Sequence, residues 1–390
     1  MNELKRFVIA FMMFLVLTSC KNMGTENNQT ENVLYPVYKS EKYLSTIPCQ
    51  RNECKWGYID KNGKVVVDFL YDYADFFSEG LARVRVGDWE SGKWGFIDAT
   101  GKVVIAPQFD EVFNFSEGLS LIRIGEGENK KHGFINKKGE IVIEPKYFTA
   151  NSFSEGLAKV LIDRQNSIFG FIDYDGNVVM SLNVYDVQDF SEGLAAVASH
   201  EILWGYIDHN GDFAIKPQFQ YASDFSEGLA AIIWDDKIGF VDKAGNMVIE
   251  VDKYNPRYSS NKGKDESLLL FSPSSWGYQI HNYMNFINGV ACIRQPYDIS
   301  TKGSFTRYID KNGKLIGTAY SDGRNFSEGL AAIKEGIGND KYGYINEKSK
   351  LVINYQFDDA EDFHDGLARV IKNGKMAYID KTGTIIWREP

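Results

Sequence analysis

The sequence predicts an all-β repeat protein of about nine units, each of about 37 residues and built from short antiparallel strands. Three observations carry that prediction. Two separate motifs recur in phase over more than 300 residues, turn signals fall at matching places in each unit, and no stretch sustains a capped helical period.

The opening motif is WGYID at Trp56, and it returns as WGFID at Trp94, HGFIN at His132, FGFID at Phe169, WGYID at Trp204 and IGFVD at Ile238. Degenerate copies follow at Thr306, Tyr342 and Met376. The closing motif, FSEGL, starts at Phe77, Phe115, Phe153, Phe190, Phe225 and Phe326, with FINGV at Phe286 and FHDGL at Phe363.

Each element of the unit has a local reason. WGYID is short and aromatic and ends in Asp60-Lys61-Asn62-Gly63, a hairpin signal with Asp first and Gly where positive φ is needed. Val65-Val66-Val67 reads as a return strand, apolar on both faces and therefore expected to be covered on both. Pro107, Pro145 and Pro217 are expected to end that strand. Ser78-Glu79-Gly80 makes a second turn, with positive φ at the Gly, and Leu81 to Val86 a third strand.

Two irregularities stand out. About 27 extra residues fall around 253–282, between the units that open at Ile238 and Thr306, and insertions in repeat proteins collect on one face, often the binding face. The ends are complementary. Leu44 to Ile47 matches the closing strand Leu81 to Val84, and the C-terminus stops after a first hairpin. Such ends suit either a closed, propeller-like ring or two caps on an open stack. Nine units exceed the usual four to eight propeller blades, so an open, curved β-solenoid is expected.

This pattern resembles the bacterial WG-repeat family, from about Leu34 to the C-terminus, and departs from it at Arg307 and Ala377, where the motif Gly is lost. The resemblance implies a β-rich repeat protein, often exported, and supplies no catalytic residues.

The N-terminus reads as an address. Lys5 and Arg6 precede eleven apolar residues, Phe7 to Leu17, too short a run to span a bilayer. Leu17-Thr18-Ser19-Cys20 resembles the lipobox of bacterial lipoproteins. The expectation is a signal peptide over 1–19, a lipidated Cys20 with a flexible tether over 20–33, and a repeat domain over 34–390 in the bacterial cell envelope, periplasmic or surface-exposed. Cys49 and Cys54 bracket a hairpin-length loop; a disulfide between them is one reading and two free thiols the other.

Composition narrows the function. A net charge of −10 with no basic block disfavours a nucleic-acid partner. Metalloprotease, nucleophile-elbow, phosphate-loop and dinucleotide motifs are missing, and the five His lie at unrelated phases, so no enzyme, metal or cofactor is expected. The expected function is a non-enzymatic, lipid-anchored scaffold for a protein or peptide partner. The alternative is a glycan or cell-wall binder using exposed aromatics such as Trp89, Trp234 and Trp276. The opening aromatic column, the next aromatic column and the hairpin Asp column read as core and turn residues. The closing-turn acids, among them Glu117, Glu155 and Glu192, would form a row along the stack. They are expected either to cap their own turns or to attract basic peptides or divalent cations.

Overall fold

A computed structural model describes residues 33–40, 54–125, 127–235, 237–251, 284–298, 303–336 and 340–390. Within them the chain forms nine antiparallel sheets, one per blade of a closed ring. Blade 1 is β1 (Tyr35–Ser40), β2 (Cys54–Ile59) and β3 (Val65–Tyr71). Blade 2 is β4 (Tyr73–Ala74), β5 (Leu81–Val86), β6 (Lys93–Asp98) and β7 (Val103–Phe109). Blade 3 is β8 (Glu111–Ser116), β9 (Leu119–Ile124), β10 (Lys131–Asn136) and β11 (Ile141–Tyr147). Blade 4 is β12 (Ala158–Asp163), β13 (Ile168–Ile172) and β14 (Val178–Asn183), with a bridge from Ala150 to Val160 in place of a first strand. Blade 5 is β15 (Asp186–Ser191), β16 (Leu194–Ala198), β17 (Trp204–Ile207) and β18 (Phe213–Phe219). Blade 6 is β19 (Tyr221–Ala222), β20 (Ala230–Trp234), β21 (Lys237–Val241) and β22 (Met247–Glu250). Blade 7 is β23 (Phe286–Ile287), β24 (Val290–Asp298), β25 (Gly303–Asp310) and β26 (Leu315–Tyr320). Blade 8 is β27 (Asp322–Gly323), β28 (Leu330–Lys334), β29 (Tyr342–Asn346) and β30 (Leu351–Phe357). Blade 9 is β31 (Asp359–His364), β32 (Leu367–Lys372), β33 (Lys375–Asp380) and β34 (Ile385–Arg388). The helical content among the described residues is one 3-10 turn, Gly127–Asn129.

The sequence repeat and the blade are out of phase. One repeat supplies the third and fourth strands of one blade and the first and second of the next. In each third strand the second aromatic is fully buried, from Tyr58 and Phe96 round to Tyr344 and Tyr378. It meets the closing-motif Phe of the following blade, as Tyr58 meets Phe77 at 5.2 Å and Phe96 meets Phe115 at 4.8 Å between ring centroids. The core therefore lies between blades, each cluster being shared by two neighbours. Where the column carries Tyr, its hydroxyl donates to a carbonyl of the next blade, as Tyr58 does to Asp75 at 2.7 Å and Tyr344 to Glu361 at 2.8 Å.

The Trp-Gly pair has a steric basis. A Cβ at Gly57 would lie 2.4 Å from the Val67 carbonyl oxygen, because the fourth strand bulges over the third between Trp56 and Tyr58. The hairpin Asp is a turn residue in every blade that carries it; Asp60 Oδ1, for example, accepts the Asn62 and Lys64 amides, both at 2.9 Å. Those bonds hold the Asp60 carboxyl below its usual pKa.

The ring corrects the expected open solenoid. Blade 9 packs on blade 1: Tyr378 Oη donates to the Pro36 carbonyl at 3.0 Å, and Tyr35 Oη to the Asp365 carbonyl at 2.5 Å. The Tyr35 and Tyr378 rings stand 5.5 Å apart, and one cluster runs from Leu34 and Trp56 to Leu367 and Trp387. Nine blades close because each repeats one interface, and the two ends carry the two halves of it. This architecture is a nine-bladed β-propeller.

Three smaller readings change. Val65 and Val66 are exposed and only Val67 is buried, because the fourth strand is the outer edge of its blade. Pro107, Pro145 and Pro217 lie inside β7, β11 and β18, where an edge strand tolerates a missing donor. The partner strand of β2 is β1, at Tyr35–Ser40; Leu44 to Ile47, residues 1–32 and the insertion at 253–282 lie outside the described residues.

Candidate functional site

The closing turns join blade to blade. In Ser116-Glu117-Gly118 both central residues are left-handed, Glu117 at φ 53 and Gly118 at φ 84, a conformation in which Glu is uncommon. The carboxylate reaches forward to the next turn, not back to its own. Glu117 accepts the Glu155 and Gly156 amides at 2.8 and 2.9 Å and the Tyr174 hydroxyl at 3.0 Å. Glu155 accepts the Gly193 amide at 2.9 Å, with His209 Nε2 at 3.5 Å. Glu192 accepts the Gly228 amide at 2.9 Å and pairs with Lys243 at 3.3 Å. The serines do the same work with opposite polarity: Ser116 Oγ donates to the Phe153 carbonyl and Ser191 Oγ to Phe225, both at 2.8 Å.

The acidic row is thus a belt of inter-blade bonds whose oxygens are engaged. Sequence reasoning placed Glu117, Glu155 and Glu192 in one row but missed its direction and the role of the serines. The signal was present in the Ser-Glu-Gly triplet that six of the eight closing motifs share, since a self-capping turn would not need both side chains.

The first strands carry polar residues just before the closing Phe, including Asp189, Asp224 and Asp362. Burial raises the pKa of all three, and Asp224, with Asp189 as a second cause, is pushed up to about 6. Asn151 Nδ2 bonds both Asp189 oxygens at 3.0 and 2.9 Å, whereas Asp224 Oδ1 is buried without a hydrogen-bond partner.

The remaining candidates are dispersed. Cys54 opens β2, is buried and is disulfide-bonded; Cys20, Cys49 and Trp276 lie outside the described residues. Trp89 is 64% exposed, but the Arg85 guanidinium sits 4.7 Å over its ring. Trp234 is exposed at the end of β20.

A site that sequence reasoning did not find lies at the ring's seam. A cavity of about 250 Å³ opens between blades 9, 1 and 2, walled by Tyr38, Trp56, Tyr73, Asp359, Glu361 and Arg369. Arg369 Nη2 donates to Glu361 Oε1 at 2.5 Å, and its guanidinium lies 6.0 Å from the Trp56 ring. Burial alone would lower the Arg369 pKa, but the Glu361 carboxylate beside it outweighs burial and leaves it raised. Arg369 stays charged at any physiological pH.

Solved structures share similarity with this chain at low sequence identity. The crystal structure of the eukaryotic initiation factor superposes with a TM-score of 0.53 at 12% identity, over 92% of this chain and 95% of that one. BamB from Moraxella catarrhalis is similar at 8% identity and a TM-score of 0.41, over 90% of this chain and 98% of that one. The WD40 β-propeller domain of Doa1 is similar at 13% identity and 0.32, over 77% and 95%. No curated protein matches the sequence. The WG containing repeat profile matches residues 56–88, 94–127, 133–164, 169–198, 204–237, 307–336 and 342–375, more than half of the chain. Seven copies, each running from the third strand of one blade to the second strand of the next, make this chain a member of the WG-repeat family.

Proposed function

We propose that the protein is a non-enzymatic scaffold, anchored to the bacterial envelope through a lipid on Cys20, whose propeller presents its rim to a protein or peptide partner. The observation that carries this reading is the apolar rim. At the start of the fourth strands, pairs of large apolar side chains stand uncovered, such as Val178 and Val179 at 48% and 54% and Phe213 at 52%. The same place is apolar and exposed in successive blades, at Val65 and Val66, Val103 and Val104, and Ile141 and Val142, which exceeds the singly scattered apolar residues of an ordinary surface. The anchoring half of the proposal rests on Lys5, Arg6, the apolar run Phe7 to Leu17 and the Leu17-Thr18-Ser19-Cys20 sequence.

Crosslinking in the native membrane, followed by mass spectrometry, tests the scaffold. A defined protein partner is expected, and its capture should fall when Val178 and Val179 are changed to Lys and Glu. Capture of lipid alone would overturn the scaffold. Cys20→Ser is expected to leave a soluble or uncleaved precursor; a variant that still carries diacyl lipid would overturn the anchor.

A further inference from the structure

A lysine immediately precedes the opening motif at Lys55, Lys93, Lys131, Lys237, Lys341 and Lys375. At three of these places it reaches an aspartate 17 positions on, in the link between the fourth strand of its own blade and the first strand of the next. Lys55 Nζ donates to Asp72 Oδ1 at 2.6 Å, and Lys93 and Lys341 donate to Asp110 and Asp358. The second carboxylate oxygen accepts an amide from the turn after the next blade's second strand: Gly87 at 2.9 Å, Gly125 at 2.8 Å and Gly374 at 3.0 Å. Lys237 pairs instead with Glu250 at 2.7 Å, and Lys375 donates to the Pro390 carbonyl at 2.9 Å.

Where the lysine is lost, so is the aspartate: Tyr185 stands in its place after Ile168, and Gln220 after Leu203. The link between blades 3 and 4 keeps one half of the pair. Lys131 is present, and the aspartate's place is taken by Phe148. Lys131 Nζ lies 3.1 Å from the centroid of the Phe148 ring, and the guanidinium carbon of Arg164, on the turn after β12, lies 5.6 Å from the same centroid. Neither cation has a carboxylate or carbonyl partner among the described residues. The ring attracts an ammonium but offers no oxygen to its three donors. Ile124, the register partner of Lys131, and Ile162, whose neighbour Leu161 donates to the Thr149 carbonyl at 3.0 Å, are both exposed. On a chain of net charge −10, this is a local excess of positive charge with an apolar border.

We propose that this place binds a carboxylate of the partner protein, an acidic side chain set between apolar residues, with Lys131 and Arg164 as its counterions. The carboxylate supplies from outside what Asp72, Asp110 and Asp358 supply from within the chain. Arg164 is exposed on its turn and can follow the ligand, whereas Lys131 is half-buried and held by β10. A charge-assisted hydrogen bond to a partly desolvated ammonium is stronger than one between neutral groups, and the isoleucines shield it from water once a ligand is seated. All three occupied places hold the carboxylate of a polypeptide, which is why the occupant is assigned to a peptide and not to an anionic headgroup. This inference rests on the scaffold reading and adds to it a contact apart from the apolar rim.

The probe is the synthetic peptide dansyl-Gly-Leu-Glu-Leu-Gly-amide, added to the purified full chain at low salt. Saturable binding by fluorescence anisotropy is expected. It should weaken at least about tenfold when the peptide's Glu is replaced by Gln, and by the same factor in Lys131→Gln, as loss of a charged hydrogen bond does. Lys131→Arg should keep most of the affinity. Phe148→Asp restores the internal pair and should abolish binding. Because that variant also removes a half-buried ring, Lys131→Gln carries the test should it lose stability. Affinity for a folded Phe148→Asp equal to the parent's would overturn the site, and so would equal affinity for the Gln peptide. Phosphatidylglycerol vesicles that bind the parent but not Lys131→Gln, with the peptide inert, would give the place to a membrane and also overturn it. A membrane partner that crosslinks to Phe148→Asp at parental yield would overturn the site while leaving the scaffold standing.

Discussion

The junction between blades 5 and 6 and the junction between blades 7 and 8 meet the same contacts with different residues. At the first, Glu192 crosses to the Gly228 amide and to Lys243, and Ile215 of β18 lies under the hairpin glycine Gly245. At the second, the belt position is Asn288, also left-handed at φ 52, and the Lys place is Glu347. The packing pair is reversed as well. The fourth-strand position carries Gly317, and the hairpin position carries Ser349, whose Oγ would lie 2.1 Å from a Cβ at Gly317. Even the first-strand acids Asp189 and Asp224 give way to Asn285 and Asn325. What is constrained is the pair across the junction, not the residue in either column. A column read alone looks tolerant where the pair is strict.

The sharpest way to break this comparison is Gly317→Val. It restores the bulk found in other blades but meets Ser349 and carries φ +74, so a loss of about 3 kcal/mol or more in denaturant unfolding is expected. Adding Ser349→Gly should recover part of that loss, and a double-mutant cycle should show coupling of about 1 kcal/mol. Strict additivity would mean that the reversal has no steric basis.

Asp224→Asn converts one acidic first strand to the amide form of blades 7 and 8. The Asp224 carboxyl is raised to about 6 from 3.8, so its contribution to stability is fully present below about pH 4 and is lost as pH rises through 6. The Asn variant should therefore be more stable than the parent by about 2 kcal/mol at pH 7.5, with the difference gone near pH 4. A parent whose melting temperature does not fall between pH 4 and pH 6.5 would contradict this.

The smallest effect expected is that of Glu192→Gln. The amide oxygen keeps the Gly228 bond, and only the half-exposed pair with Lys243 is lost. A change of about 0.5 kcal/mol at low salt, vanishing at 1 M, is expected. A loss above about 2 kcal/mol that persists in high salt would show that the belt depends on charge and not on acceptor geometry.

Much of the blade was legible because it is local. Asp60-Lys61-Asn62-Gly63, Leu81 to Val86 and the aromatic column from Tyr58 to Tyr378 fold by rules that act within a dozen residues. The ring was not legible for the opposite reason. An open stack and a closed ring share every junction but one, and that one depends on Tyr35 and Pro36 meeting Asp365 and Tyr378, more than 300 residues away. The belt was half legible: the row of acids follows from the repeat, but the direction in which Glu117 points depends on the twist between blades. The seam cavity had no signal of its own, since it arises where a motif is missing.

That each sheet is drawn from one continuous stretch of chain has a consequence for how the ring assembles. Among the described residues no strand from one terminus completes a sheet of the other, and the joint is fastened by side-chain packing and a few hydrogen bonds. Neighbouring blades can form early, because their contacts lie about one repeat apart, while the joint must close a loop of almost the whole chain. Closure should be the last event in folding and the first to yield when the two ends are pulled apart.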